Sequence, residues 1–142
     1  LLKARPGFPP DGKWVAYGSN ESGNYEIYLQ AFVPGAAASA SGGKWQISTN
    51  GGIAPSWQSD GRELYYVSAD NKLMAIEVTP GAEVKFGTPQ SLFSLGSARA
   101  VTLNTGYTLT RDGQRFLFVT NAEEASVPPF TVVLNWMAEV KK

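Results

Sequence analysis

Carboxylates have the best claim to chemistry in this sequence, because general acid–base work and glycoside hydrolysis need only two of them, held a few ångströms apart. The chain has no Cys and no His. That removes thiol nucleophiles, the Ser-His-Asp relay, imidazole catalysis and every zinc site built from those ligands. Three aspartates recur in one setting, Asp11, Asp60 and Asp112, each followed by a glycine, Gly12, Gly61 and Gly113. An Asp-Gly pair is a tight turn, since Gly accepts positive φ and Asp bonds its own backbone, so backbone geometry explains their recurrence better than catalysis does. Glu123 and Glu124 are adjacent in a loop-like stretch and would point apart, which fits solvation. No G-x-S-x-G elbow and no phosphate-binding Gly-rich loop with Lys occurs. The expectation is that the chain is not an enzyme, holds no cofactor or metal, and that any catalytic domain lies outside it.

Binding chemistry is equally restricted. Twelve Lys and Arg balance twelve Asp and Glu, and the basic residues are scattered, so no stripe exists to neutralise phosphates and nucleic acid is not an expected partner. Lys141 and Lys142 sit together at the end, where a charged pair reads as solvation. Trp14, Trp45, Trp57 and Trp136 could stack on sugars or bases, but they fall at strand positions where sheet packing wants bulk, and core is the better reading. Asn20-Glu21-Ser22 matches a glycosylation sequon and suits a turn equally well. No apolar run approaches the ~20 residues of a membrane helix, and residues 1–10 lack a signal-peptide pattern. The opening at Leu1 reads as a trimmed or excised segment.

The elements that would position these residues follow from the repeat. Each Asp-Gly turn precedes an aromatic and β-branched run: Trp14-Val15-Ala16-Tyr17, Leu64-Tyr65-Tyr66-Val67 and Phe116-Leu117-Phe118-Val119. The turns lie about 50 residues apart, the length a four-stranded propeller blade with its loops consumes. A short strand precedes the turn (54–58 and 106–110), and a third strand follows at 25–29, 72–78 and 130–136. Outer strands are read at 44–48 and 89–93; the third repeat lacks one. Residues 34–43, rich in Ala, Gly and Ser, form a flexible loop, and 136–142 allow at most a short terminal turn. At 142 residues and 43% hydrophobic the chain is long enough for one domain with a real core. The fold class expected is all-β, a partial β-propeller of about three four-stranded antiparallel blades at roughly 5–49, 50–95 and 99–138.

Phe8-Pro9-Pro10-Asp11-Gly12-Lys13-Trp14-Val15-Ala16-Tyr17 resembles the F-S-P-D-G-K-x-[ILV]-A-[FY] signature of PD40 repeats in TolB-like propellers. Trp57-Gln58-Ser59-Asp60-Gly61 is similar to it, and Thr110-Arg111-Asp112-Gly113-Gln114-Arg115-Phe116 departs further. The resemblance implies one half of a six-bladed ring and a periplasmic or extracytoplasmic location. Such propellers also gate prolyl-oligopeptidase-type peptidases. The stretch from Pro129 to Trp136 resembles the end of propellers attached to bacterial serine/threonine kinases or winged-helix regulators.

Together these readings point to a module for protein interaction or ligand sensing, its partner a protein or a small ligand; the alternative is a regulatory or substrate-gating propeller of a larger enzyme. Half a ring leaves its end sheets uncovered. A homodimer completing the ring is therefore expected, with Leu1-Leu2-Lys3-Ala4 lending an outer strand to the partner's third blade, or else pairing with a missing half of the parent protein.

Overall fold

A computed structural model describes residues 3–35, 43–79, 81, 83–96, 107–119 and 130–134. Among the described residues the regular elements are all strands. The first sheet comprises β1 (Lys3–Gly7), β2 (Trp14–Ser19), β3 (Glu26–Ala31) and β4 (Lys44–Gln46), in that order. The second comprises β5 (Gly52–Trp57), β6 (Glu63–Ser68), β7 (Lys72–Thr79), β8 (Lys85–Phe86) and β9 (Gln90–Ser94); the third, β10 (Tyr107–Leu109), β11 (Arg115–Val119) and β12 (Phe130–Leu134). Every pairing is antiparallel. The chain is all-β, and none of its sheets closes on itself among the described residues.

The sheets stack face to face in chain order, and the alternation along β6 shows how. Leu64 and Tyr66 share a core with Ala16, Ile27, Leu29 and Ile47 of the first sheet. Tyr65 and Val67 point the other way, into a core with Phe116 and Phe118 of the third. Successive strand residues face opposite sides, so a continuous apolar run marks a strand covered on both faces. In β11 only one face is covered: Phe116 and Phe118 are buried and Leu117 is 38% exposed. Aromatic rings fill both cores, with Trp14 edge-on to Trp45 at 5.5 Å and Tyr65 edge-on to Phe116 at 5.1 Å. Trp14, Trp45 and Trp57 thus serve as packing; Trp136 lies outside the described residues.

Two sequence expectations change. Lys3 and Ala4 pair with Ser19 and Gly18, which makes this segment an edge strand of the chain's own first sheet, where a strand for a partner's third blade was expected. The free edge of β2 needs backbone partners, and the segment joined to it by one turn supplies them at least entropic cost. Its signal was Pro6, which has an equivalent in Pro55, each five positions before a turn aspartate. Pro cannot donate to a ladder, and the pairing of both strands shifts register there, between Ala4 and Gly7 and between Ile53 and Ser56. The second sheet also has more than four strands, because β7 is long enough to pair β9 through Lys72–Ala75 and β8 through Val78 and Thr79. Residues 136–142 lie outside the described residues, as does most of the 34–43 loop.

Truncation of the second core gives a direct check on the stacking. Phe116→Ala is expected to cost about 3–5 kcal/mol in urea unfolding, the usual loss for a buried aromatic. Tyr107→Phe, in the same core, removes a buried hydroxyl that finds no hydrogen-bond partner among the described residues. It should be neutral or stabilise by about 1 kcal/mol; a loss larger than that would mean the hydroxyl has a partner.

Candidate functional site

The three Asp-Gly pairs build one device three times. The glycine N–H donates to the carbonyl three residues back: Gly12 to Pro9 at 3.0 Å, Gly61 to Gln58 at 3.0 Å, Gly113 to Thr110 at 2.9 Å. Each glycine has positive φ, 64°, 74° and 68° in turn. Each aspartate Oδ1 accepts the N–H two residues on, from Lys13 at 3.1 Å, Arg62 at 2.9 Å and Gln114 at 3.0 Å. The carboxylates are thus committed to their own backbone at the exposed tips between the first two strands of each sheet. At Asp112, the Thr110 hydroxyl and the Gln114 N–H hold the carboxyl below its ordinary 3.8.

The turns also touch each other. A Cβ built on Gly61 would lie 3.1 Å from Pro10 Cδ and 3.4 Å from Pro9 Cβ. One built on Gly113 would lie 2.6 Å from Gln58 Nε2. The Ser59 hydroxyl donates to the Arg111 carbonyl. Each turn therefore rests on the glycine of the next, which needs glycine both for its φ and for the missing Cβ.

At the opposite end of the strands the first two sheets leave a cleft of about 1100 Å³. It is lined by the turn before β3 (Asn24, Tyr25), the link from β4 to β5 (Thr49 to Gly52), the turn between β6 and β7 (Ser68 to Asn71) and Gly96. A buried carboxylate braces its floor: Glu26, 4% exposed, accepts the Gly51 N–H at 2.9 Å and the Ser48 hydroxyl. Ser48 Oγ in turn accepts the Ile27 N–H at 2.8 Å, tying link to strand. On the far wall Asp70 pairs with Lys72 at 2.7 Å and accepts the Ser68 hydroxyl at 2.6 Å. These two contacts, Lys72 first, hold the Asp70 carboxyl low. Asn71 takes positive φ, 60°, and donates from Nδ2 to the Gly96 carbonyl at 2.7 Å.

The functional groups this leaves are neutral. Asn24, Thr49 and Asn50 are exposed, Tyr25 is half-buried beside them, and no Lys or Arg is among the described lining residues. None of these residues was singled out from the sequence. They come from separate loops, and the local sign that the chain carries is the turn-forming composition of Ser22-Gly23-Asn24 and Asp70-Asn71. Asp11, Asp60 and Asp112 lie at the other end of the strands from the cleft. The sequon Asn20-Glu21-Ser22 is a turn closed by the Gly23 N–H on the Asn20 carbonyl at 3.0 Å. No group of three acidic side chains is placed to hold a metal among the described residues. Glu123, Glu124, Lys141 and Lys142 lie outside them.

No known family profile matches this chain, and no curated protein sequence matches it. Among solved structures it is similar to a protein from Bacteroides uniformis provisionally named a 6-phosphogluconolactonase, with a TM-score of 0.56 at 15% identity. The likeness covers 93% of this chain and 42% of that one, so this chain spans less than half the length of its neighbour. At such identity the fold alone is shared. Even so, it corrects the expectation that the chain is not an enzyme, because the neighbour with this fold carries an enzyme name. That expectation rested on missing thiols, imidazoles and contiguous motifs. Acid–base chemistry by carboxylates and water needs none of these, and a site assembled from strand ends leaves no contiguous motif.

Two measurements follow. Gly96 and Gly113 have similar φ, 62° and 68°, but only Gly113 is covered. Gly96→Ala and Gly113→Ala should each cost about 1–2 kcal/mol from backbone strain, read from denaturant midpoints, and Gly113→Ala should in addition displace the Gln58 side chain. Asp112 has a depressed folded pKa, so its stabilisation is full above the unfolded value near 3.8 and is lost as pH falls through the lower folded value. Thermal melts below about pH 4 should show the wild type losing Tm more steeply than Asp112→Asn, and parallel slopes would mean the carboxylate contributes nothing there.

Proposed function

We propose that this chain is a segment of a β-propeller of the TolB-like kind, and that the cleft between its first two sheets holds a neutral, polyhydroxylated ligand. The propeller reading is supported by successive antiparallel sheets stacked face to face and by a 50-residue repeat period, to the nearest ten, that fits one blade. The observation that carries the ligand is the cleft's lining. Its two carboxylates, Glu26 and Asp70, already have partners, and what remains is two amides, a hydroxyl and an aromatic ring. Amides and hydroxyls at loop tips bond sugar hydroxyls, and a tyrosine ring offers an apolar face to a sugar ring. A phosphorylated ligand, of the kind the Bacteroides protein's name carries, would need cations that the described lining lacks, and it would meet the Asp70 carboxylate.

This reading covers ligand sensing and the holding of a substrate for chemistry, and one experiment separates them. Titration calorimetry with a panel of neutral sugars and polyols, each beside its phosphorylated counterpart, should find a neutral binder at least tenfold tighter than its phosphate. Asn50→Ala and Tyr25→Ala should each weaken it about tenfold, the loss of roughly 1.4 kcal/mol. Tighter binding of the phosphorylated member, or no effect of either substitution, would overturn the reading. Turnover of the bound sugar in the same samples would mark a substrate, and its persistence a sensed ligand.

A further inference from the structure

The stacking that joins the three sheets has a direction, and both ends of the stack are open. Phe8, Trp57 and Leu109 each stand three residues before a turn aspartate. Trp57 packs into the core beneath the second sheet and Leu109 into the core beneath the third, whereas Phe8 is 48% exposed. Phe32 and Val78 are likewise equivalent: the Phe32 N–H donates to the Lys13 carbonyl at 2.7 Å, and the Val78 N–H to the Arg62 carbonyl at 2.8 Å. Val78 is 2% exposed in the first core; Phe32 is 40% exposed and meets Phe8 edge-on at 4.9 Å, with Val33 exposed beside them. The glycines follow the same rule. Gly61 and Gly113 each carry the preceding turn, but nothing lies within 4 Å of a Cβ placed on Gly12.

At the other end the complementary parts are exposed. Thr110 and Arg111, equivalents of Pro9-Pro10 and Gln58-Ser59, are exposed. Leu117, five residues beyond its aspartate as Tyr65 is, stands exposed where Tyr65 is buried, and its cross-strand neighbour Thr108 is exposed too. We propose that the patch of Phe8, Phe32 and Val33, with the bare ledge of Gly12, docks the third turn and the Leu117 face of a second copy of this chain. The contact would continue the interface that already joins sheet to sheet, and it runs head to tail, each copy offering one surface of each kind. A patch of three exposed apolar side chains beside an unfilled turn is the kind of surface a soluble chain keeps covered.

Light scattering across a range of concentrations should show the mass rising from 15.3 kDa to twice that where two copies close a ring, or on to higher multiples where the head-to-tail contact repeats. Phe32→Lys and Leu117→Lys should each weaken association at least tenfold. Mixed in equal amounts, the two variants should recover a one-to-one pair, because each retains the surface the other has lost. Circular dichroism and thermal melts establish that each variant is folded; Phe8→Ser and Thr108→Lys probe the same two surfaces should a lysine prevent folding. A wild type that stays monomeric, single variants that associate like the wild type, or a mixture that does not recover would each overturn the proposal.

Discussion

Strand β6 is buried on both faces, and the rest of the molecule is arranged by that fact. Leu64 and Tyr66 anchor one core and Tyr65 and Val67 the other, so the second sheet cannot keep its strands out of water unless a sheet lies on each side. Burial of an aromatic or branched side chain is worth about 1.5–3 kcal/mol, so four such residues in one strand strongly favour cover on both of its faces. The first and third sheets are thereby fixed in place by the second. Their own outward faces follow a different rule, as Leu117 shows at the far end of the stack.

Stacking brings the two ends of the strands to different uses. At one end the Asp-Gly turns lie on one another, Pro9 and Pro10 over Gly61 and Gln58 over Gly113. A side chain on either glycine would press on the turn before it, on Pro10 at Gly61 and on the Gln58 side chain at Gly113, so the turn motif carries a packing role beyond its local geometry. At the other end no such contact closes the gap among the described residues, and the loops between sheets leave a cleft. Glu26 is what keeps that cleft's floor in shape: its carboxylate gathers Ser48 and the Gly51 N–H, drawing the link between sheets onto β3. A buried carboxylate without those donors would be costly, so the link and the strand hold each other.

Much of the architecture was legible in the chain because it is written locally. The period of the Asp-Gly turns gave the number of sheets, and the alternation after each turn gave the strands, since both depend on residues a few positions apart. β1 and β8 were missed for a physical reason. Lys3–Gly7 contains Arg5 and Pro6, a poor strand by propensity that is recruited by the open edge of β2. Lys85–Phe86 is two residues long and exists only because β7 extends past β9.

By itself, the sequence determined an all-β chain, the sites of its repeated turns and the aromatic residues that would fill its cores, because turn chemistry and strand alternation are properties of neighbouring residues. Tertiary structure decided which loops meet. Asn24, Thr49, Asn50 and Asp70 line one cleft only because two sheets pack face to face, and no spacing within the chain encodes that approach. It decided also that Gly12 stands bare while Gly61 and Gly113 are covered. The three share a motif and a backbone conformation, and they differ in what lies against them.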